Sequence, residues 1–185
     1  MVWLQYARDV DLSKHSGNWE FFNPTSIYFG RGSREKLQFL ITGKRVLVFA
    51  SKRGKTQFCK DGPLGANDID ITWFTAIREN PNVSDIEKAA SVLVGQNFDA
   101  VVAFGGGSVI DFAKTVTAML ALGKKMTNLT ELLENPDFLQ SETLLPIFAI
   151  PTTSGTGSEA TSFATVWDHS NGKKMSLLSD SIRPV

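Results

Sequence analysis

Apolar positions along this chain follow two alternating rhythms. Short runs dense in Val, Ile, Leu, Phe and Ala recur at Arg45 to Ala50, Ile69 to Phe74, Asp99 to Phe104 and Ile147 to Ile150. Runs of that length with little polar interruption predict strands covered on both faces, as in a parallel sheet. Between them the apolar positions are spaced by three and four, which predicts helices. Ser84-Asp85-Ile86-Glu87 has the form of a capping box, and Ile86, Ala89, Ala90, Leu93 and Val94 fall on one helical face behind it. Ser108 to Leu122 predicts another helix with Ser108 as its cap, and Ser33 to Ile41 a shorter one with Leu37, Leu40 and Ile41 buried. Strand and helix alternate, so the expected class is α/β, a Rossmann-like doubly wound parallel sheet.

The remaining segments are less regular. Thr25 to Phe29 reads as a strand before the turn Gly30-Arg31-Gly32, and Gly62-Pro63 with Gly65 would end any helix begun near Gly54. Gly123 to Pro146 is a polar insertion with a short helix at Leu129 to Glu134. Phe163 to Trp167 and Lys174 to Leu178 predict a small edge hairpin whose Asn171-Gly172 turn suits type I′. Residues 1–21 form an irregular leader in which Trp3, Tyr6, Trp19 and Phe21 are suited to docking on the domain or on a second subunit, so a homodimer is one expectation.

Chemistry concentrates at two predicted strand ends. The strand closing at Phe104 runs straight into Gly105-Gly106-Gly107-Ser108 and then into a helix. Glycine permits positive φ and close approach of a ligand to the backbone, and free N–H groups at a helix start favour an anion, so the turn suits a pyrophosphate. Such a turn also closes strand-helix junctions that bind nothing. The second strand end, Pro151-Thr152-Thr153-Ser154-Gly155-Thr156-Gly157-Ser158-Glu159, crowds hydroxyls and glycines into one loop. In an open parallel sheet both would lie beyond the carboxyl ends of the strands, where ligands bind. Ser108, Asp111 and Lys114 are spaced by three and share one side of their helix; the alternative for Asp111 and Lys114 is a solvated ion pair of little energetic consequence.

Together Gly-Gly-Gly-Ser-x-x-Asp-x-x-Lys (Gly105 to Lys114) and Pro-Thr-Thr-x-Gly-Thr-Gly-Ser-Glu (Pro151 to Glu159) resemble the iron-containing, group III alcohol dehydrogenases. Asn23-Pro24-Thr25, Phe29-Gly30-Arg31-Gly32, Asn80-Pro81-Asn82-Val83 and the Lys174 to Pro184 spacing agree, so the likeness runs from about Phe22 to Val185. It implies a dehydroquinate synthase-like dinucleotide-binding domain over residues 22–185, in an oxidoreductase that moves hydride between a nicotinamide and a primary alcohol or aldehyde. By similarity Gly106, Gly107 and Ser108 would bind the pyrophosphate, Gly105 would shape the turn, and Asp111 would face the nicotinamide. Thr152, Thr153 and Thr156 would contact adenosine and ribose, and Lys174 a ribose hydroxyl. The resemblance implies a divalent ion, Fe2+ or Zn2+, held by an aspartate expected shortly after the Arg183-Pro184 landmark and by three histidines of a helical domain further on. None is matched here, so no metal or catalytic residue is expected in this chain, which would bind cofactor without turnover; a non-catalytic dinucleotide-binding module is the alternative.

Composition narrows the rest. The 185 residues are 42% hydrophobic and 21% charged, ordinary for a globular domain, and 19 basic side chains balance 19 acidic ones. No global field favours nucleic acid or an anionic membrane, no apolar window reaches transmembrane length, and the cytoplasm is the expected compartment. His15, His169 and Cys59 have no metal-ligand spacing; the two histidines read as surface residues and Cys59 as an inert thiol. The strand ending at Ala50 leads into Ser51-Lys52-Arg53, and the position where NAD-preferring relatives carry Asp is Ser51. A small hydroxyl followed by two cations suits a 2′-phosphate, which favours NADP over NAD; a basic surface turn without a ligand is the alternative.

Overall fold

The computed structural model describes residues 23–62, 64 and 68–185. Four parallel strands make one sheet: β1 (Arg45–Ala50), β2 (Asp70–Phe74), β3 (Ala100–Gly105) and β4 (Ile147–Pro151), in the order β2-β1-β3-β4. The register sets Val48 beside Trp73 and Val102, Ala50 beside Phe104, and Gly105 beside Pro151. The chain steps outward from β1 to β2, crosses back to β3, and continues away to β4. Winding therefore reverses between β1 and β3, the place in such sheets where a crevice opens beyond the strand ends.

Helices cover both faces, and the pleat sorts the side chains between two layers. Val46, Val48 and Ala50 of β1 join Ala100, Val102 and Phe104 of β3 on the side of α1 (Leu37–Leu40) and α2 (Lys52–Asp61), where Leu37 and Phe58 complete the layer. Leu47 and Phe49 join Val101 and Ala103 on the other side, with α3 (Val83–Leu93) and α4 (Gly107–Leu122). Phe49, Phe74 and Phe112 meet there with ring centroids 5.5 to 5.9 Å apart, contacts worth about 1 kcal/mol each beyond area burial.

The most enclosed helix is α4, buried without interruption from Val109 to Met119. It lies between β3, α3 and an antiparallel hairpin of β5 (Phe163–Asp168) and β6 (Lys173–Leu178). The hairpin is a sheet of its own packed on α4 through Ala164 and Val166 of β5; it does not extend the parallel sheet. Thr115 and Thr117, buried on α4, donate their hydroxyls to the Asp111 and Ala113 carbonyls one turn back at 2.8 and 2.7 Å, which removes the cost of enclosing them. The insertion after α4 contributes α5 (Leu129–Glu134), which buries Leu129, Leu132 and Leu133. No described helix is long and apolar enough to cross a membrane.

Several local expectations are corrected. Thr25 to Phe29 joins no strand among the described residues, leaving Ile27 and Phe29 exposed; local β preference does not make a strand without a neighbour to pair with. Ser33 does not cap its helix: it begins a 3-10 turn (Ser33–Lys36) entered from Gly32 in the left-handed region, φ 76°, and Leu40 is only half-buried. The capping box at Ser84 does not close. The helix starts one residue earlier after Asn82, and Glu87 instead accepts the Leu129 N–H at 2.9 Å, capping α5 across the domain. α2 begins at Lys52, two residues before Gly54, and ends at Gly62 with φ 57°. The hairpin turn is not type I′, which needs two left-handed residues. Its loop has four residues, only Gly172 is left-handed at φ 61°, and the Asp168 carboxylate accepts the Ser170 and Asn171 N–H groups at 3.1 Å. The leader 1–21, His15, Pro63 and Gly65 lie outside the described residues.

Candidate functional site

Ala50 stands opposite Phe104, so Ser51 leaves the sheet beside Gly105, the last residue of β3, at the point where the winding reverses. Ser51 caps α2, its hydroxyl accepting the Gly54 N–H at 3.0 Å. Lys52 and Arg53 therefore occupy the first turn of that helix, exposed, where its dipole disfavours cations and an anion would be welcome.

The glycine turn is built for a different reason than the sequence suggested. Gly105, Gly106 and Gly107 all lack positive φ; Gly106 is extended at φ −79° and ψ −176°. What the turn needs is space. A Cβ on Gly105 would sit 2.5 Å from Val109, one on Gly106 2.9 Å from the Thr153 hydroxyl, and one on Gly107 2.9 Å from the Thr156 methyl. The Thr-rich loop rests directly on the turn, and the Thr152 N–H donates to the Gly105 carbonyl at 2.9 Å. Positive φ is found within that loop instead, at Gly155 (92°) and Gly157 (67°). Ser108 is also not the cap of α4, which is Gly106; its hydroxyl accepts the N–H of Asn80, a left-handed residue at φ 56°.

Between the start of α4 and the hairpin lies a cleft of about 260 Å³. Gly107, Ser108, Asp111, Thr156 and Lys174 line it, as do Asn80, Pro81, Ser158, Thr165 and Trp167. Of the anticipated residues, Gly105 is buried behind it; Gly106, Thr152 and Thr153 lie where the two loops touch, and Ser51 lies at the β1 end. Asn80, Ser158 and Trp167 were not anticipated as lining residues. Strand alternation carried a signal for the last: Phe163, Thr165 and Trp167 face the cleft while Ala164 and Val166 enter the core. The Lys174 ammonium lies 5.7 Å from the centre of the Trp167 ring, on which exposed His169 also stacks.

Asp111 carries the sharpest electrostatic feature. It is 7% exposed; one oxygen accepts the Thr165 N–H at 3.1 Å, and the other, Oδ1, has no partner among the described residues. Burial pushes its carboxyl above the usual carboxylate range, opposed by the Thr165 amide, the Ser158 hydroxyl and the charges of Lys114 and Lys174. A buried acceptor left open is costly unless a donor arrives. Lys114 is likewise no solvated partner of Asp111. It is wholly buried, and its ammonium donates to the Thr161 and Phe163 carbonyls at 2.7 and 3.0 Å. Among the described residues no three His, Cys, Asp or Glu side chains converge to hold a metal ion.

A parallel sheet with reversed winding, a glycine turn opening a buried helix, and a polar cleft beside it define a dinucleotide-binding α/β domain of the doubly wound class. The family model for iron-containing alcohol dehydrogenases matches residues 24–185, and the chain belongs to that family. It is 30% identical over 171 residues to alcohol dehydrogenase 4 of Saccharomyces cerevisiae, covering 89% of this chain and 43% of the yeast protein. The NADPH-dependent butanol dehydrogenase of Clostridium saccharobutylicum is 30% identical over 168 residues, with 89% and 42% covered. The crystal structure of NADH-dependent butanol dehydrogenase A from Thermotoga maritima superposes with a TM-score of 0.76 at 29% identity, covering 90% of this chain and 42% of that one. The chain thus spans less than half the length of these relatives.

Proposed function

We propose that this chain supplies the nicotinamide-dinucleotide site of an oxidoreductase that interconverts a primary alcohol and an aldehyde by hydride transfer. The observation that carries the reading is the Asp111 oxygen, buried and open in a cleft that starts at a helix N-terminus. Backbone N–H groups of Gly107 and Ser108 suit the pyrophosphate, the open Asp111 oxygen suits a donor on the nicotinamide or its ribose, and Lys174 suits a ribose hydroxyl. Gly106 joins Gly107 and Ser108 at the pyrophosphate, Gly105 shapes the turn, and Thr152, Thr153 and Thr156 suit the adenosine and ribose, as the family resemblance assigns them.

A divalent metal, where the family holds one, polarises the substrate oxygen as a Lewis acid. The described residues do not fit such an ion, so the chain's own part is to bind and orient the dinucleotide.

Cofactor choice is read from Ser51, Lys52 and Arg53. The relatives include one enzyme named for NADH and one named for NADPH, so family membership leaves the choice open. Two cations at a helix start, where the dipole opposes them, are consistent with a phosphate on the adenosine ribose and support NADP. Calorimetric titration of the chain with NADPH and NADH tests the reading: saturable binding of either is expected, and binding of neither would refute it.

A further inference from the structure

We propose that Lys114 is a positioning residue of the cofactor cleft: from inside the domain it clamps the hairpin that carries Thr165 and Lys174 onto the helix that carries Ser108 and Asp111. Its bearing on cofactor rests on the dinucleotide reading above. Lys114 has no exposed surface, yet its Nζ donates to the Thr161 carbonyl at 2.7 Å and the Phe163 carbonyl at 3.0 Å, and lies 3.5 Å from the Thr161 hydroxyl. Two residues further along the chain, the Thr165 N–H reaches Asp111. Alternate residues of an extended segment present their backbone groups to the same side, and residues three apart on a helix share a face. Asp111 and Lys114 therefore grip β5 along one edge at 163 and 165, and Lys114 also holds Thr161 just before the strand.

Packing alone does not call for a lysine here, because an apolar side chain of similar volume avoids the cost of enclosing a charge. The ammonium faces Asp111 from its own helix, Glu159 from the Thr-rich loop and Arg183 from the carboxyl-terminal segment. Asp111 and Glu159 each have a buried carboxylate oxygen with no partner among the described residues. The Lys114 charge is thus shared by a carboxylate of the cleft and one of the loop that covers the glycine turn. Burial pushes the ammonium down to about 8, with the two carboxylates opposing and Arg183 reinforcing that shift.

The test uses the full chain with Lys114→Met and Lys114→Arg, NADPH and NADH as probes, and amide hydrogen exchange as a readout that needs no cofactor. Lys114→Met should lose about tenfold or more in cofactor affinity at pH 7, roughly 1.4 kcal/mol. It should also lose protection at the Thr165 amide while Val101 and Val102 in β3 stay protected. Lys114→Arg keeps the charge and the donors; it should recover most of the affinity and abolish the decline expected of the wild-type chain above pH 8. Wild-type affinity together with wild-type Thr165 protection in Lys114→Met would overturn the proposal. So would an alkaline decline that persists in Lys114→Arg, which decides the matter if the methionine variant does not fold. If no form of the chain binds either dinucleotide, selective loss of Thr165 protection still upholds the clamp, and it is the cofactor reading that fails.

Discussion

Asp111 and Thr165 are joined by a 3.1 Å hydrogen bond from the strand amide to one carboxylate oxygen, while the other oxygen of the same group is buried and open. One half of the side chain thus fastens the hairpin, and in the proposed function the other half meets the dinucleotide. Asp111→Asn should separate the two roles: its amide oxygen still accepts from Thr165, but the open position can become a donor where an acceptor is needed. Dinucleotide affinity should fall about tenfold, roughly 1.4 kcal/mol. The sign for stability is opposite. A carboxyl whose native pKa is raised is most stabilising when protonated, and its contribution is lost as pH rises through the native value, so at pH 7 the carboxylate is a liability. The neutral variant should keep or raise the melting temperature; titration calorimetry and a thermal melt on the same samples check both halves.

Gly106→Val should abolish cofactor binding by displacing the Thr-rich loop. Even a first carbon at that position would lie 2.9 Å from the Thr153 hydroxyl, and overpacking of this kind costs about 1–3 kcal/mol. The fold should survive with a lowered melting temperature. Pairing it with Thr153→Ala should recover part of the stability, a double-mutant coupling that a lone surface turn would not show.

Ser51→Asp should shift preference from NADPH toward NADH. Asp caps a helix as well as Ser does, so the variant keeps the cap that Ser51 provides and changes only the charge. The wild-type preference for NADPH should weaken as salt screens the exposed Lys52 and Arg53. Affinities for both cofactors at two ionic strengths test this, and a wild-type preference for NADH would show that the basic turn faces away from the ligand.

Lys114 should leave a mark on stability as well. Its native value of about 8 lies below the ordinary 10.5, so between those limits the unfolded chain holds a proton that the native chain gives up. Unfolding free energy should therefore rise with pH over that window, by at most about 1.4 kcal/mol per pH unit, and the slope should be missing in Lys114→Met. Urea titrations at pH 7.5 and 9.5 on both proteins measure it.

The parallel sheet was legible because each core strand is apolar on both faces: Arg45–Ala50 has its predicted bounds, and the others shift by a residue. The short helix at Leu129–Glu134 was equally plain from its leucines. Local motifs misled where a side chain had a better partner far away in sequence. Glu87 reads as half of a capping box, yet it serves an amide 42 residues on. Lys114 reads as a surface cation, and only the tertiary arrangement supplies the carbonyls of Thr161 and Phe163 that make its burial tolerable. The motif residues of the two loops do converge, but the glycines serve contact between the loops. Trp167, which lines the cleft, was visible only as one more alternating strand residue.

The enclosure of α4 bears on how variants of this protein would be found. One run of residues forms the wall of the cleft and also the centre of the core, so Asp111 and its neighbours cannot drift without disturbing the packing around Phe112 and Val116. A random screen for lost cofactor binding would return mostly poorly expressed chains when it hits this helix. Apart from an isosteric change such as Asp111→Asn, clean separation of binding from folding belongs to positions that touch the cleft from exposed ground, Thr156 and Lys174, and to Ser51 at the crevice edge.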